Sequence, residues 1–442
     1  MAKIERPRLS HGLPRGPLAA GLLLAFATSL AGTATPALAA AFDDCAAEAA
    51  SQYEPGFQSI GQDTVDIDTD AAIEACQKAL KADPSSIQAK AWLGRAYYVI
   101  ADDEKGVPLL KEAADAGNAL AQSLYGDMLV TGDGVDEDME AGVSYLQRAA
   151  DQDFAPAQNS LALSYDYGNG IEQDYYQAQK YYRLAAMQGL PRAQSNIGLM
   201  YQDGLGVDQD YVAAAAWFER AAKAGDASGE VNLGKMYQDG LGVDVDNAKA
   251  AELYKQAADQ GDMYGQNNLG FLMENGLGIE EDIEGAVELY QQAADQGMAL
   301  AQHNLALLYE EGRGVKRDYD KAIEFYTKAA EGGEMRAAVN LGLLYLEGTG
   351  TDVDYEEGLK WTKMAADADQ PIGQNNMGHI YEDGLGVTAD LDEARRWYQL
   401  SADQGYQLAI DNLARLDAAP ADDTKNAPPT APKGKTKGKL DN

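Results

Sequence analysis

Side chains suited to catalysis are scarce in this sequence. Two cysteines and three histidines stand among its 442 residues, and no HExxH, GxSxG, Walker A or Cys-x-x-Cys pattern occurs. Those absences exclude a zincin, a nucleophile-elbow hydrolase, a P-loop nucleotidase and a dithiol oxidoreductase. Beyond His11, the histidines His303 and His379 lie in unrelated local contexts. Among 71 acidic residues no catalytic carboxylate pair stands out, so no catalytic residue, cofactor or metal is expected. Positive charge is short as well. Thirty-five Lys and Arg leave a net charge of −36, which argues against nucleic acid and anionic membranes as partners and keeps a large surface in solution. The one long apolar run, Leu18 to Leu30, is short for a bilayer span.

That run has the layout of a secretory signal. Basic residues up to Arg15 precede it, and Ala37-Leu38-Ala39 offers a small-x-small cleavage site, with Ala39-Ala40-Ala41 as a second. Residues 1–39 are therefore expected to be removed on export to a bacterial periplasm, leaving no transmembrane segment. They carry Lys3, Arg6, Arg8 and Arg15 against Glu5, so the mature chain stands at −39. Export gives meaning to Cys45 and Cys76, the only cysteines. In an oxidising compartment they are expected to pair, and closing that loop contributes roughly 3 to 4 kcal/mol on the chain-entropy model. Two separate buried thiols are the alternative. No histidine lies nearby to complete a zinc site.

Repetition dominates the rest. The second glycine of a Gly-x-Gly falls at Gly134, Gly170, Gly206, Gly242, Gly278, Gly314, Gly350 and Gly386, every 36 residues, and an aspartate follows four residues later each time, from Asp138 to Asp390. Before the glycines, Ala193, Ile197, Gly198 and Tyr201 recur as Ala301, Leu305, Ala306 and Tyr309, a helical stripe (helix A). After them, Ala214, Trp217, Phe218, Ala221 and Ala222 recur as Ala322, Phe325, Tyr326, Ala329 and Ala330 (helix B). The marker glycine is expected to end helix A at positive φ. The aspartate is expected to cap helix B, with Glu357 and Glu393 completing capping boxes. The acidic cluster Asp66 to Asp70 fails as a calcium loop, because Ala71 and Gln77 stand where an EF-hand needs glycine and glutamate.

The string Asn232-Leu233-Gly234-Lys235-Met236-Tyr237-Gln238-Asp239-Gly240-Leu241-Gly242-Val243, followed by Ala250, Tyr254, Ala257-Ala258 and Gly261, resembles the Sel1-like repeat, a relative of the tetratricopeptide repeat. Eight such units cover about 119–406, within a solenoid expected over 119–416. The resemblance implies an all-α, right-handed α-α solenoid. Asp153 and Asp369 depart from it by replacing the glycine that ends helix B, Leu129 and Met273 by replacing the helix A tyrosine, and Thr351 by replacing the valine after the marker. Residues 40–118, with Ala72, Ala75, Ala79 and Pro84 before Trp92, Leu93, Gly94 and Tyr97, resemble a tetratricopeptide-like N-terminal cap carrying the disulfide. The tail 417–442, rich in Ala, Pro, Asp and Lys, is expected to lack fixed structure.

With Leu233 set toward the core, the residue two places later points almost directly away from it. Water should meet polar groups there. Instead the position holds Leu163, Leu199, Phe271, Leu307 and Leu343, interrupted by Asp127, Lys235 and His379, with Val231, Tyr264, Leu300, Val339, Leu346 and Ile372 nearby. Glu274, Glu310 and Glu382 recur beside it, with Asp203, Asp239 and Asp383. In tetratricopeptide-like solenoids this helix A face lines the concave surface. The resemblance therefore makes the stripe a candidate groove for protein segments carrying apolar anchors and Lys or Arg; packing against adjacent repeats is the competing reading. The Asn ladder from Asn196 to Asn376 is expected to bond neighbouring backbone across repeat junctions. Exported Sel1-like proteins imply a periplasmic scaffold or regulator that binds other envelope proteins. A cell-wall glycan or small-ligand binder is the second class. β-Lactam hydrolysis, linked to cysteine-rich relatives with a disulfide in each repeat, is the remote third, and this chain lacks that pattern.

Overall fold

The computed structural model describes residues 36–59, 61 and 67–418, and these form helices and their connections, with no strand. The leader falls outside the described residues except for 36–39, which form the first turn of α1 (Pro36–Ala49). The tail falls outside them from 419 onward. After α1 come α2 (Thr69–Ala82), α3 (Ile87–Val99) and α4 (Asp103–Asp115). Then A and B helices alternate. The A helices are α5 (Ala119–Thr131), α7 (Ala155–Tyr167), α9 (Pro191–Asp203), α11 (Ala227–Asp239), α13 (Met263–Asn275), α15 (Ala299–Glu311), α17 (Met335–Glu347) and α19 (Pro371–Asp383). The B helices are α6 (Met139–Ala150), α8 (Tyr175–Met187), α10 (Tyr211–Lys223), α12 (Asn247–Asp259), α14 (Ile283–Asp295), α16 (Tyr319–Glu331), α18 (Tyr355–Asp367) and α20 (Leu391–Asp403). One further A helix, α21 (Gln407–Ala418), follows.

Both glycines of each Gly-x-Gly are left-handed, and they do different jobs. The first, not the second, ends helix A: Gly204 has φ +70 and its N–H reaches Met200 O. The marker Gly206, also at φ +70, touches the previous unit, where an added Cβ would lie 2.4 Å from the Tyr175 carbonyl oxygen. This residue therefore carries a contact between units that only a glycine allows. The aspartates behave as expected, since Asp138, Asp174, Asp210, Asp246, Asp282, Asp318, Asp354 and Asp390 each cap a B helix by accepting backbone N–H groups. The capping boxes do not form. Glu357 instead accepts from Lys360 and Trp361, and Glu393 from Arg396. Asp153 and Asp369 keep the turn that glycine makes elsewhere, at φ +60 and +58, a conformation aspartate tolerates better than most residues.

Within a unit, a small residue on helix A receives a ring from helix B. Gly198 faces Phe218, Gly234 faces Tyr254 and Gly378 faces Tyr398, each too close to admit a Cβ without movement. Between units, A helices touch A helices at α5/α7, α9/α11 and α11/α13 in addition to their B partners, and α3, the first helix of the preceding hairpin, touches α1 and α5 in the same way. That places the A helices on the inside of the curve. Cys45 on α1 and Cys76 on α2 are joined, with Cα atoms 4.6 Å apart and both side chains fully buried. No helix among the described residues is long and apolar enough to cross a membrane.

Candidate protein-binding face

The inner face of an A helix comprises three registers spaced four and three residues apart, such as Tyr264, Asn268 and Phe271 on α13 or Leu300, Asn304 and Leu307 on α15. Of the apolar candidates, Leu163, Leu199, Val231, Phe271, Leu300 and Leu307 are half-buried, and Tyr264 is 51 % exposed. Three must be corrected. Val339 (2 % exposed) and Leu343 (1 %) are core residues, packed in one cluster with Leu305, Leu308, Leu341 and Leu344, against which Leu307 and Ile372 close, and Leu346 (6 %) is buried in a second cluster with Met377, Ile380 and Trp397. On α17 the curvature has turned the stripe into packing. The open part of the apolar face therefore runs over α7 to α15, with Lys235 exposed in its middle.

The acidic residues beside the stripe are largely engaged. Glu274 accepts the Tyr290 hydroxyl (3.0 Å) and pairs with Arg313 (2.8 Å) from the following Gly-x-Gly loop. Glu310 accepts the Tyr326 hydroxyl (2.8 Å), and Glu382 accepts that of Tyr398 (2.8 Å) while pairing with Arg415 (2.6 Å). These partners make Glu274, Glu310 and Glu382 joints of the solenoid. The exposed negative charge of the rim comes from Asp203, Asp239, Glu347 and their kind, one residue further on.

Where the Asn ladder bonds across the junctions it reaches side chains, not the expected backbone. Asn196 donates to Asn159 Oδ1 (3.0 Å), Asn304 to Asn267 Oδ1 (3.1 Å) and Asn412 to Asn375 Oδ1 (3.0 Å). The backbone bonds expected of it belong to glutamines, with Gln122 donating to Ala114 O (3.1 Å) and Gln302 to Ala294 O (3.2 Å). Among the described residues no group of three or more His, Cys, Asp or Glu side chains is placed to hold a metal ion.

One part of this face is occupied by the protein itself. On α3 the same three registers hold Gln88, Trp92 and Arg95. Residues 49–57, at the end of α1 and after it, lie across them. Glu54 is buried there, its carboxylate accepting from the Ser51 N–H (2.7 Å), Gln88 Nε2 (2.5 Å) and the Trp92 indole N–H (3.0 Å). Burial raises the Glu54 carboxyl above its ordinary value, and those donors together with the Arg95 charge oppose the shift. Arg95 Nη1 donates to Ala49 O (3.1 Å), and the rings of Phe42 and Phe57 each sit 5.0 Å from Trp92. Tyr53 reaches on to pack against Ala155, Ala162 and their neighbours around α7 and α8. Sequence reasoning missed this seat. Its signals were an arginine at the register that holds Leu or Phe in five later units and a 19-residue connection carrying Tyr53, Glu54 and Phe57.

A family model described as the Sel1 repeat matches residues 87–118, 119–154, 155–190, 191–226, 227–262, 264–298, 299–334, 336–370 and 371–406. The chain belongs to the Sel1 repeat family. The Sel1 match counts α3 and α4 as a ninth unit, where the Gly-x-Gly count finds eight, because that unit closes its hairpin through three residues without the glycine loop. A Sel1 repeat protein from Oxalobacter formigenes is 29% identical with a TM-score of 0.52, over 72% of this chain and 92% of that one. A protective antigen present in uropathogenic Escherichia coli strains and displaying an SLR fold is 29% identical over 81% of this chain and 85% of that one, with a TM-score of 0.48. No curated protein matches. Sel1 repeat proteins generally serve as scaffolds for other proteins and are generally not catalysts.

Proposed function

We propose that this protein is a periplasmic interaction scaffold that holds segments of partner proteins along the inner face of its A helices, from α7 to α15. The seat of residues 49–57 on α3 carries this reading, because there the same three helical registers already grip a stretch of polypeptide by backbone, carboxylate and ring contacts. Further along, the registers offer half-buried Leu163, Leu199, Phe271, Leu300 and Leu307 with Tyr264 exposed among them. Apolar anchors of a partner would fill that floor. The acidic excess of the chain and the exposed rim carboxylates favour a segment that also bears Lys or Arg. The buried disulfide and the layout of the first 39 residues support export.

The test is affinity capture from a crosslinked periplasmic extract with wild type, Phe271→Asp and Leu307→Asp. The variants should lose their partner at unchanged helical content and melting temperature. Capture by folded variants at wild-type level would move the binding site elsewhere.

A further inference from the structure

A ladder of glutamines stitches successive units together; alanine replaces it on α17 (Ala338), and on α11 the rung carries a titratable group instead. In each of five units the helix A glutamine donates to an alanine carbonyl of the preceding B helix: Gln122 to Ala114, Gln158 to Ala150, Gln194 to Ala186, Gln302 to Ala294 and Gln374 to Ala366, at 3.1 to 3.5 Å. At three of these rungs the amide oxygen accepts in turn from the glutamine following the next B helix, Gln152 donating to Gln122, Gln188 to Gln158 and Gln404 to Gln374, each at 2.8 Å. These rungs use one donor and one acceptor on the same side chain. On α11 the rung is Glu230, 3 % exposed. It accepts from Gln260 Nε2 at 2.7 Å, which fills the acceptor role. As a carboxylate it has nothing to donate to Ala222, the carbonyl at the corresponding place. As a carboxylic acid it matches the glutamine amide group for group.

The surroundings add weight. Gly229 lets α11 press on α10 so closely that a Cβ there would lie 2.5 Å from Ala221 Cβ, and the neighbouring Glu230 is buried at this junction. Two carboxylates face it, Asp226 capping α11 and Asp262 capping α13. Cations on the packed elements are turned to other work. On α10 Lys223 pairs with Glu219 and Arg220 covers Trp217; on α12 Lys249 pairs with Asp246 and Lys255 with Asp259; on α11 Lys235 pairs with Asp239. On α9 Ser195 donates to Asp226 and leaves that charge in place.

We propose that Glu230 is a proton-operated joint: protonated, it completes the glutamine ladder between α10, α11 and α12, and ionised, it breaks the rung to Ala222 and repels Asp226 and Asp262, loosening the middle of the solenoid. The joint adjoins Val231 and Lys235, so pH would set how firmly the centre of the groove is held. Desolvation, with Asp226 and Asp262 adding to it, pushes the Glu230 carboxyl up to about 7. Because the folded value lies above the ordinary one, the contribution to stability is complete below about pH 4.5 and is lost as pH rises through 7.

Hydrogen exchange of the full mature protein tests this, comparing wild type with Glu230→Gln, the residue that fills this rung in sister units. Between pH 5.5 and 8.5, after correction for intrinsic exchange, peptides covering 219–232 of the wild type should lose protection by roughly tenfold relative to the variant. The same peptides in Glu230→Gln should stay level, and peptides of the 371–406 unit should not distinguish the two proteins. Equal pH slopes at 219–232 in both proteins, or a variant less protected than wild type at pH 8.5, would overturn the proposal. Neither result bears on whether partners bind the groove.

Discussion

Tyr290 on α14 and Glu274 on α13 are matched to one another across the hairpin, the hydroxyl donating to the carboxylate at 3.0 Å. The match recurs sixteen residues apart, with Tyr182 on Asp166, Tyr254 on Gln238, Tyr326 on Glu310 and Tyr398 on Glu382. Where helix B brings Leu146 or Thr362 to that register, helix A brings Val130 or Leu346; Phe218 with Gln202 is the exception. A buried hydroxyl needs a partner, so the acceptor follows the donor.

Glu274→Lys should therefore act on stability first. It strands the Tyr290 hydroxyl and sets a lysine beside Arg313, at a cost of about 1 to 3 kcal/mol. Asp203→Lys, on an exposed carboxylate in the next register, should stay within about 0.5 kcal/mol of wild type. Urea denaturation of the two variants separates a joint from a rim charge.

Glycines in the left-handed region should divide by what stands behind them. Gly206→Ala meets the Tyr175 carbonyl as well as backbone strain, whereas Gly225, at φ +80, has nothing within 4 Å of the added atom. Gly225→Ala should cost about 1 to 2 kcal/mol for conformation alone, and Gly206→Ala should cost clearly more. Thermal melts of both variants check the order.

Replacing Cys76 by serine, together with Cys45→Ser, should lower the stability of the N-terminal units by roughly 3 to 4 kcal/mol. It should also loosen the connection on α3, because the bond joins the two helices that this connection links. Trp92 fluorescence, followed through urea, reports both effects.

His303 should make the protein sensitive to acid. Burial holds its imidazole down to about 4, with Glu334 opposing and Arg336 assisting the shift. The neutral form is the folded form, so its contribution is intact above pH 6.5 and is lost as pH falls through 4. His303→Asn, which copies Asn267 and Asn375 at the same register, should raise the melting temperature near pH 4 by on the order of a few degrees and change little at pH 8.

The solenoid was legible because its signals are local and repeated. A glycine every 36 residues, an aspartate four later and alanines at helical spacing specify hairpins whatever the partners are. Details that depend on the neighbouring unit were not legible. The role of the second glycine as a contact with the preceding unit, the pairing of Glu274 with Arg313, and whether Val339 and Leu343 meet water are all decided by packing between units. The grip of α3 on residues 49–57 is a contact between segments more than thirty residues apart, which periodicity cannot express.

Photo-crosslinking in living cells asks whether a partner lies on the inner face of the A helices. A photoreactive residue in place of Tyr264, exposed on the inner face of α13, is compared with one in place of Met187, 76 % exposed at the end of the B helix α8. Position 264 should give a discrete protein adduct that disappears when Phe271→Asp is added, and position 187 should give none. An adduct from 187 alone, or one from 264 that persists in the folded Phe271→Asp protein, would contradict binding on this face.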